Sequence, residues 1–327
     1  MAMKGFDPDF ADLPDYIVKI TERIWEGRGI GLIRRWYSED CPIHTTMGPA
    51  AGAEATIAGT LETLNTLPQR RLLPEDIIWS GNEDDGFLSS HRLICPGVHK
   101  GDGRLGPPTG RSVVVRAIAD CFCVENRIVE EWLIRDTAGL VLQIGGDPVA
   151  YAAALAAADR AAGKGPWHLE EAARLRAEGG FRPPVHQDHP AAALVRDTMA
   201  AIWRADLHVV GERYHPACSV HLPGFRTAYG HEQLYEFLFG YLAAFPDLTI
   251  AIEHSIARED PGLPTRVATR WWFTGTHTGY GAFGPPSGAT VLGLVVNHAH
   301  VVDGRIREEW MLVDEVAIRK QIALQRM

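Results

Sequence analysis

Two aspartates placed identically in two stretches of this chain are its first candidates for chemistry. Asp136 closes RIVEEWLIRD at 127–136, and Asp314 closes RIREEWMLVD at 305–314, each four residues after a tryptophan, Trp132 or Trp310. On a regular strand, residues four apart face the same side, so each carboxylate lies beside a large indole. If that face is the concave, helix-covered one, partial desolvation raises the carboxyl pKa toward the range of general acid and base work. The alternative is structural: a strand-end aspartate caps the segment that follows or pairs with an arginine.

Histidines recur in the same register. HKGDGRLGPPTG at 99–110 returns as HTGYGAFGPPSG at 277–288 with seven of twelve positions identical, which sets His99 beside His277 at the 178-residue offset of the aspartates. A glycine- and proline-rich loop between strands can hang such a side chain over a pocket mouth, or simply hold it at the surface. The run superficially resembles a phosphate-binding loop, but neither copy precedes a helix, so a nucleotide cofactor is not expected. His44 and His221 recur with a one-residue slip, and Arg92 and Arg270 recur at the full offset. With Trp132 and Trp310 these are candidates to line a cavity. Arg116, Asp120 and Phe122 align with Leu294, His298 and His300, so one strand face differs in polarity between the copies.

A repeat this long is a whole domain duplicated, since solenoid and propeller units run about 20–50 residues. Each copy opens with a helical pattern (16–25 and 194–203) and carries another at 53–67 or 231–245. Alternating segments follow at 75–81, 88–95, 111–124 and 127–136, matched by 248–257, 265–276, 289–302 and 305–314. Helices first and strands last predict an α+β domain with helices on one face of an antiparallel sheet. The pairs 124–127 (VENR) and 302–305 (VDGR) suit tight hairpins. The domains expected are 1–148 and 190–327. Between them, 149–189 reads as alanine-rich helices and the proline-punctuated linker FRPPVHQDHP. HQDH at 186–189 lacks a third ligand at suitable spacing, so no metal site is expected.

The 327 residues are 46% hydrophobic, enough for a packed core in each domain. A net charge of −9 offers no basic field for nucleic acid. MAMKGFDPDF has no apolar targeting region, and no stretch approaches the roughly 20 apolar residues of a membrane span, so a cytoplasmic chain is expected. Five cysteines without CxxC spacing signal neither a disulfide framework nor zinc, and Cys121 and Cys123 are expected to share a core face.

GTHTG at 275–279, GRIREEW at 304–310, the WxxxD endings and LVLQIG at 140–145 resemble SnoaL-like polyketide cyclases of the nuclear-transport-factor-2-like superfamily. The resemblance covers roughly 14–147 and 190–324. The first copy departs from it with CPGVHKG at 95–101, the second with AIRKQIA at 317–323. The resemblance implies cone-shaped domains with curved sheets, paired within the chain as a pseudo-dimer, a pairing compatible with further homo-oligomers. It implies a cofactor-free lyase or isomerase of the polyketide-cyclase or ester-cyclase kind. Asp136 or Asp314 would take a proton from a carbon next to a carbonyl, His99 or His277 would polarise the oxygen, and Trp132 and Trp310 would form apolar wall. The expected partner is a small hydrophobic carbonyl compound. Two other readings stay open: a non-catalytic binder of a hydrophobic metabolite, and a hydrolase whose aspartate activates water.

Overall fold

Helical periods and alternating runs become the elements they predict. The computed structural model describes residues 3–326, and the chain divides into two compact units, Met1–Thr45 with Pro49–Gly146 and Thr46–Gly48 with Asp147–Met327. In the first unit α1 (Leu13–Thr21) is capped by Asp12, whose carboxylate accepts from the Asp15 N–H, and buries Leu13, Tyr16, Ile17 and Ile20. It runs on through a π turn at Glu22–Glu26. Then come α2 (Ile33–Trp36), β1 (Pro42–His44), β2 (Ala50–Ala51) and α3 (Gly52–Thr66). Four long strands follow, β3 (Leu73–Asn82), β4 (Gly86–Val98), β5 (Ser112–Val124) and β6 (Arg127–Arg135), before α4 (Thr137–Gln143).

The second unit begins with α5 (Pro148–Ala161), α6 (His168–Glu178) and β7 (Val185–His186). It then repeats the first: α7 (Pro190–Ile202), α8 (His208–Arg213), β8 (Tyr214–Leu222), β9 (Arg226–Tyr229) and α9 (Gly230–Ala244). Strands β10 (Thr249–Arg258), β11 (Thr265–Thr276), β12 (Thr290–Val302) and β13 (Arg305–Val313) lead to α10 (Glu315–Gln325).

Each unit is α+β, with one mixed sheet ordered β2-β1-β6-β5-β4-β3 or β7-β10-β11-β12-β13-β8-β9. The long strands pair antiparallel, as expected. The sheets are not purely antiparallel, because the short strand after the first helices returns to run parallel to the last, β1 with β6 and β8 with β13. Val185 and the first residue of HQDH, His186, form β7, which pairs parallel with β10, and His189 caps α7 through Nδ1. Both tight hairpins form: Val124 pairs with Arg127 around Glu125 at φ 51°, and Val302 with Arg305 around Asp303 and Gly304 at φ 49° and 72°. All five cysteines are buried and free, with Cys121 and Cys123 in one apolar cluster. Among the described residues no single helix is long and apolar enough to cross a membrane.

Candidate active site

Paired residues on neighbouring strands share a face, so β5 decides which side of the first sheet carries the pocket. Val113, Val115, Ala117, Ala119, Cys121 and Cys123 all belong to apolar clusters, which makes the odd-numbered face of β5 the packed one. Their neighbours on β6 are Arg135 opposite Ala117, Leu133 opposite Ala119 and Glu131 opposite Cys121. Trp132 pairs with Asp120, and the Asp136 N–H bonds the Arg116 carbonyl, so both lie on the opposite face. In the second unit Met311 pairs with Asn297 and Glu309 with Ala299 on the packed face, while Trp310 pairs with His298 on the other.

Trp132 and Trp310 thus lie on the face opposite the packed one, and a bulge is the reason. Counting back from the tight turns without interruption sets Trp132 opposite Ala119 and Trp310 opposite Asn297. A register shift between Phe122 and Cys123, and another between His300 and Val301, adds one residue to the last strand of each unit. Because strand side chains alternate with period two, one extra residue moves every later side chain to the other face.

The predicted site residues sort accordingly. Asp136 Oδ1 accepts the Gly139 N–H at 2.9 Å and Asp314 Oδ1 the Ala317 N–H at 3.2 Å, so each caps the helix that follows. His44 stacks on Trp132 with centroids 5.0 Å apart and meets Glu130 Oε1 through Nε2 at 2.7 Å. His221 stacks on Trp310 at 4.9 Å and meets Glu308 Oε1 at 3.1 Å. Arg92, in register with Ile118, and Arg270, in register with Val296, share that same outer face and pair with Glu75 at 3.3 Å and Glu253 at 3.8 Å. None of these eight side chains lies on the helix-covered face.

His99 and His277 do continue that face, at the far ends of β4 and β11. Both are fully buried, with Nδ1 against Thr109 Oγ1 at 3.2 Å or Ser287 Oγ at 3.0 Å. Burial lowers the His277 pKa, and Phe245 and Phe283 stand 5.6 and 6.5 Å from its ring. The structure does not bring histidine and aspartate together. The His99 N–H bonds the Arg111 carbonyl and the Asp136 N–H the Arg116 carbonyl, five residues along β5, or ~17 Å at strand rise. His277 at Ala289 and Asp314, one residue past the Val313–Val295 pair, are separated by the same five positions on β12.

The helix-covered face carries a different acid, the second glutamate of each EEW. Glu309 is completely buried; Tyr214 donates to Oε2 at 2.6 Å, and Asn297 donates to Oε1 at 2.6 Å while accepting from Trp271 Nε1 at 2.7 Å. Burial pushes its carboxyl up to about 7. In the first unit Tyr37 hydrogen-bonds Glu131, which burial likewise raises to about 7 against the opposing charge of Arg135. Here Ala119 replaces Asn297, so no amide satisfies the other carboxylate oxygen. Two strands away on the same face, Ser89 pairs with Cys121 and His91 with Ala119. Ser89 Oγ and His91 Nε2 are buried without a hydrogen-bond partner, and desolvation lowers the His91 pKa to about 3, so its ring is neutral. These residues were missed because their recognition depends on strand facing. The unbroken apolar odd positions of β5 were the available signal.

The pockets differ as well. The second unit holds a small aromatic pocket, walled by Trp203, Phe237, Tyr241, Trp271, Phe273 and Met311 among others. In the first unit Trp25 and Leu133, the counterparts of Trp203 and Met311, are only partly buried. Among the described residues no group of three or more His, Cys, Asp or Glu is placed to hold a metal.

The profile of the SnoaL-like polyketide cyclase family matches residues 15–144 and again 193–322. A protein from Jannaschia sp. CCS1 assigned as a SnoaL-like polyketide cyclase is 22% identical, covering 44% of this chain and 97% of its own, with a TM-score of 0.38. IdmH from Streptomyces antibioticus, assigned as a polyketide cyclase, is 26% identical over 41% of this chain and 99% of its own, at 0.36. AclR from Streptomyces galilaeus, assigned as a hydroxylase, is 26% identical over 42% and 87%, also at 0.36. No curated protein matches. The family supports a function of cyclase or isomerase type. With both units matched over most of their length, the chain belongs to the SnoaL-like polyketide cyclase family, as a tandem pair.

Proposed function

We propose that this chain is a cofactor-free cyclase or isomerase that transfers a proton at a carbon next to a carbonyl, in the helix-covered pocket of its first unit. One observation carries the reading: Glu131 is a carboxyl on the pocket face whose pKa, raised by burial to about 7, suits a general base at neutral pH. As carboxylate, Glu131 takes the proton while the C–H electron pair moves onto the carbonyl oxygen as an enolate. Ser89 Oγ, buried and unpartnered on the same face, is a hydroxyl free to donate to that oxygen as charge develops. In a cyclisation the enolate carbon attacks a second carbonyl of the same molecule, and Glu131 returns its proton to the new alkoxide. Tyr37 holds the carboxyl in place throughout.

For the second unit, simple binding is the better reading. Both Glu309 oxygens are already hydrogen-bonded, and the pocket is walled by apolar and aromatic side chains. Incubating the chain with 2-tetralone in D2O and following loss of the α-proton signals by NMR tests the assignment. Exchange above the buffer rate that disappears in Glu131→Gln and survives in Glu309→Gln is the expected result. Exchange unaffected by Glu131→Gln refutes the role of this carboxyl.

A further inference from the structure

The duplication allows the second unit's pocket to be read onto the first, position by position. Subtracting the 178-residue offset is exact in this region: α3 and α9, the bulges at Pro74/Asp76 and Ile252/His254, and the last strands all correspond. Phe237 and Tyr241 become Gly59 and Thr63, while Trp271 and Phe273 become Leu93 and Cys95. Four rings are replaced by smaller groups, and at the exposed Gly59 a Cβ would meet open space. Val295 and Met311 become Ala117 and Leu133 and stay apolar, while two further changes alter the charge: Leu248 and Val313, both lining the apolar pocket, become Arg70 and Arg135.

Of the two arginines Arg70 is buried and Arg135 exposed, so the demand for a partner falls on Arg70. Arg135 faces the packed side through its register with Ala117, a member of the cluster that also holds Leu93 and Cys95. Arg70 is 7% exposed, and its Nε is buried with no acceptor. Burial, and after it the charge of Arg135, hold the Arg70 pKa down to about 10. Among the described residues neither forms an ion pair. Glu26, the carboxylate that bears on Arg70, is already engaged by Arg71 Nε and the Leu72 N–H. Leaving a buried guanidinium without a counter-charge is costly, so the place is built for an anion that arrives from outside.

We infer that the first unit's pocket binds a small organic carboxylate, its anionic group held by Arg70 and Arg135 and its apolar body against Trp25 and Leu133. Arg135 lies four residues along β6 from Glu131 on the same face, ~13 Å between Cα atoms. A molecule of modest length then spans from the anion clamp to the base, which makes the substrate a keto acid rather than a neutral ketone. This substrate class rests on the reading of Glu131 as the reactive group, whereas the anion clamp itself is tested without turnover.

The experiment is a titration of the full chain with benzoate and, separately, with the near-isosteric neutral ketone acetophenone, followed by NMR or calorimetry. Benzoate is expected to bind about tenfold more tightly, as two charge-assisted contacts would give, with the preference declining as salt rises. Arg70→Leu and Arg135→Val restore the second unit's residues. Each should cut benzoate affinity about threefold and leave acetophenone unchanged. Arg135 is solvent-exposed, so its variant folds even if Arg70→Leu does not. Equal binding of the two probes, no binding of benzoate, or benzoate binding unchanged in Arg135→Val overturns the inference. If that occurs while Glu131→Gln still abolishes exchange, only the clamp falls; intact benzoate selectivity with unaffected exchange sinks the catalytic assignment alone.

Discussion

Tyr214 donates its hydroxyl to Glu309 Oε2 at 2.6 Å, both groups wholly buried on the helix-covered face of the second sheet. Tyr37 and Glu131 repeat the pair in the first unit. The family's duplicated framework thus keeps a desolvated carboxyl and its tyrosine in both copies, then changes what surrounds them.

A buried carboxyl has a signature in stability. Glu309 holds its proton up to about pH 7 in the folded state and to about 4.5 in the unfolded chain. Its contribution is complete below pH 4.5 and is lost as pH rises through 7, because over that window the unfolded state binds fewer protons. Glu309→Gln cannot ionise. Relative to the parent its unfolding free energy should therefore climb between pH 5 and 7.5, by up to roughly 3 kcal/mol at 1.36 kcal/mol per pH unit. Urea melts at several pH values check this; a flat difference would place the Glu309 pKa near its ordinary value.

Strand-end aspartates should behave as caps. Asp136→Ala and Asp314→Ala each remove a side-chain acceptor from a helix N-terminus. Each is expected to cost at least about 1 kcal/mol of stability while activity per folded molecule persists. Denaturant melts alongside turnover separate the two effects, and a stable but inactive Asp136→Ala would restore that residue to the reaction.

Loop glycines explain the repeated HxG. A Cβ on Gly101 would fall 1.8 Å from the Asn65 carbonyl oxygen, and one on Gly279 would fall 1.8 Å from that of Ala243. Each loop packs against the end of a helix, α3 or α9, where only glycine fits. Gly101→Ala and Gly279→Ala should each destabilise by about 2–4 kcal/mol, the range of severe backbone clashes. Thermal melts showing under 0.5 kcal/mol, on the order of an ordinary surface change, would mean that the loop has another seat.

Much of this fold was legible in the residues. The offset linking His99 to His277 and Trp132 to Trp310 exposed the duplication, and the shift from helical to alternating period gave α+β units. The parallel pairing of β1 with β6 was not legible, since Pro42–His44 carries only three residues of pattern. The strands that carry the candidate residues were legible, but the facing of their side chains was not. Trp132, Asp136, His44 and Arg92 drew attention by residue type, and one bulged residue after each tight turn moved the WxxxD side chains outward. A bulge of this kind has no glycine or proline to announce it at Arg127–Glu130. Arg70 and Arg135 went unnoticed for a different reason: they are differences between the copies, whereas the repeat directed attention to what the copies share.

The most direct test of the account is the pH dependence of α-proton exchange from 2-tetralone, measured as kcat/KM. The parent chain should show a rise with an apparent pKa near 7, absent from Glu131→Gln and retained in Asp136→Asn. A rise centred near pH 4, or a profile abolished by Asp136→Asn and untouched by Glu131→Gln, would contradict the assignment of Glu131 as the base.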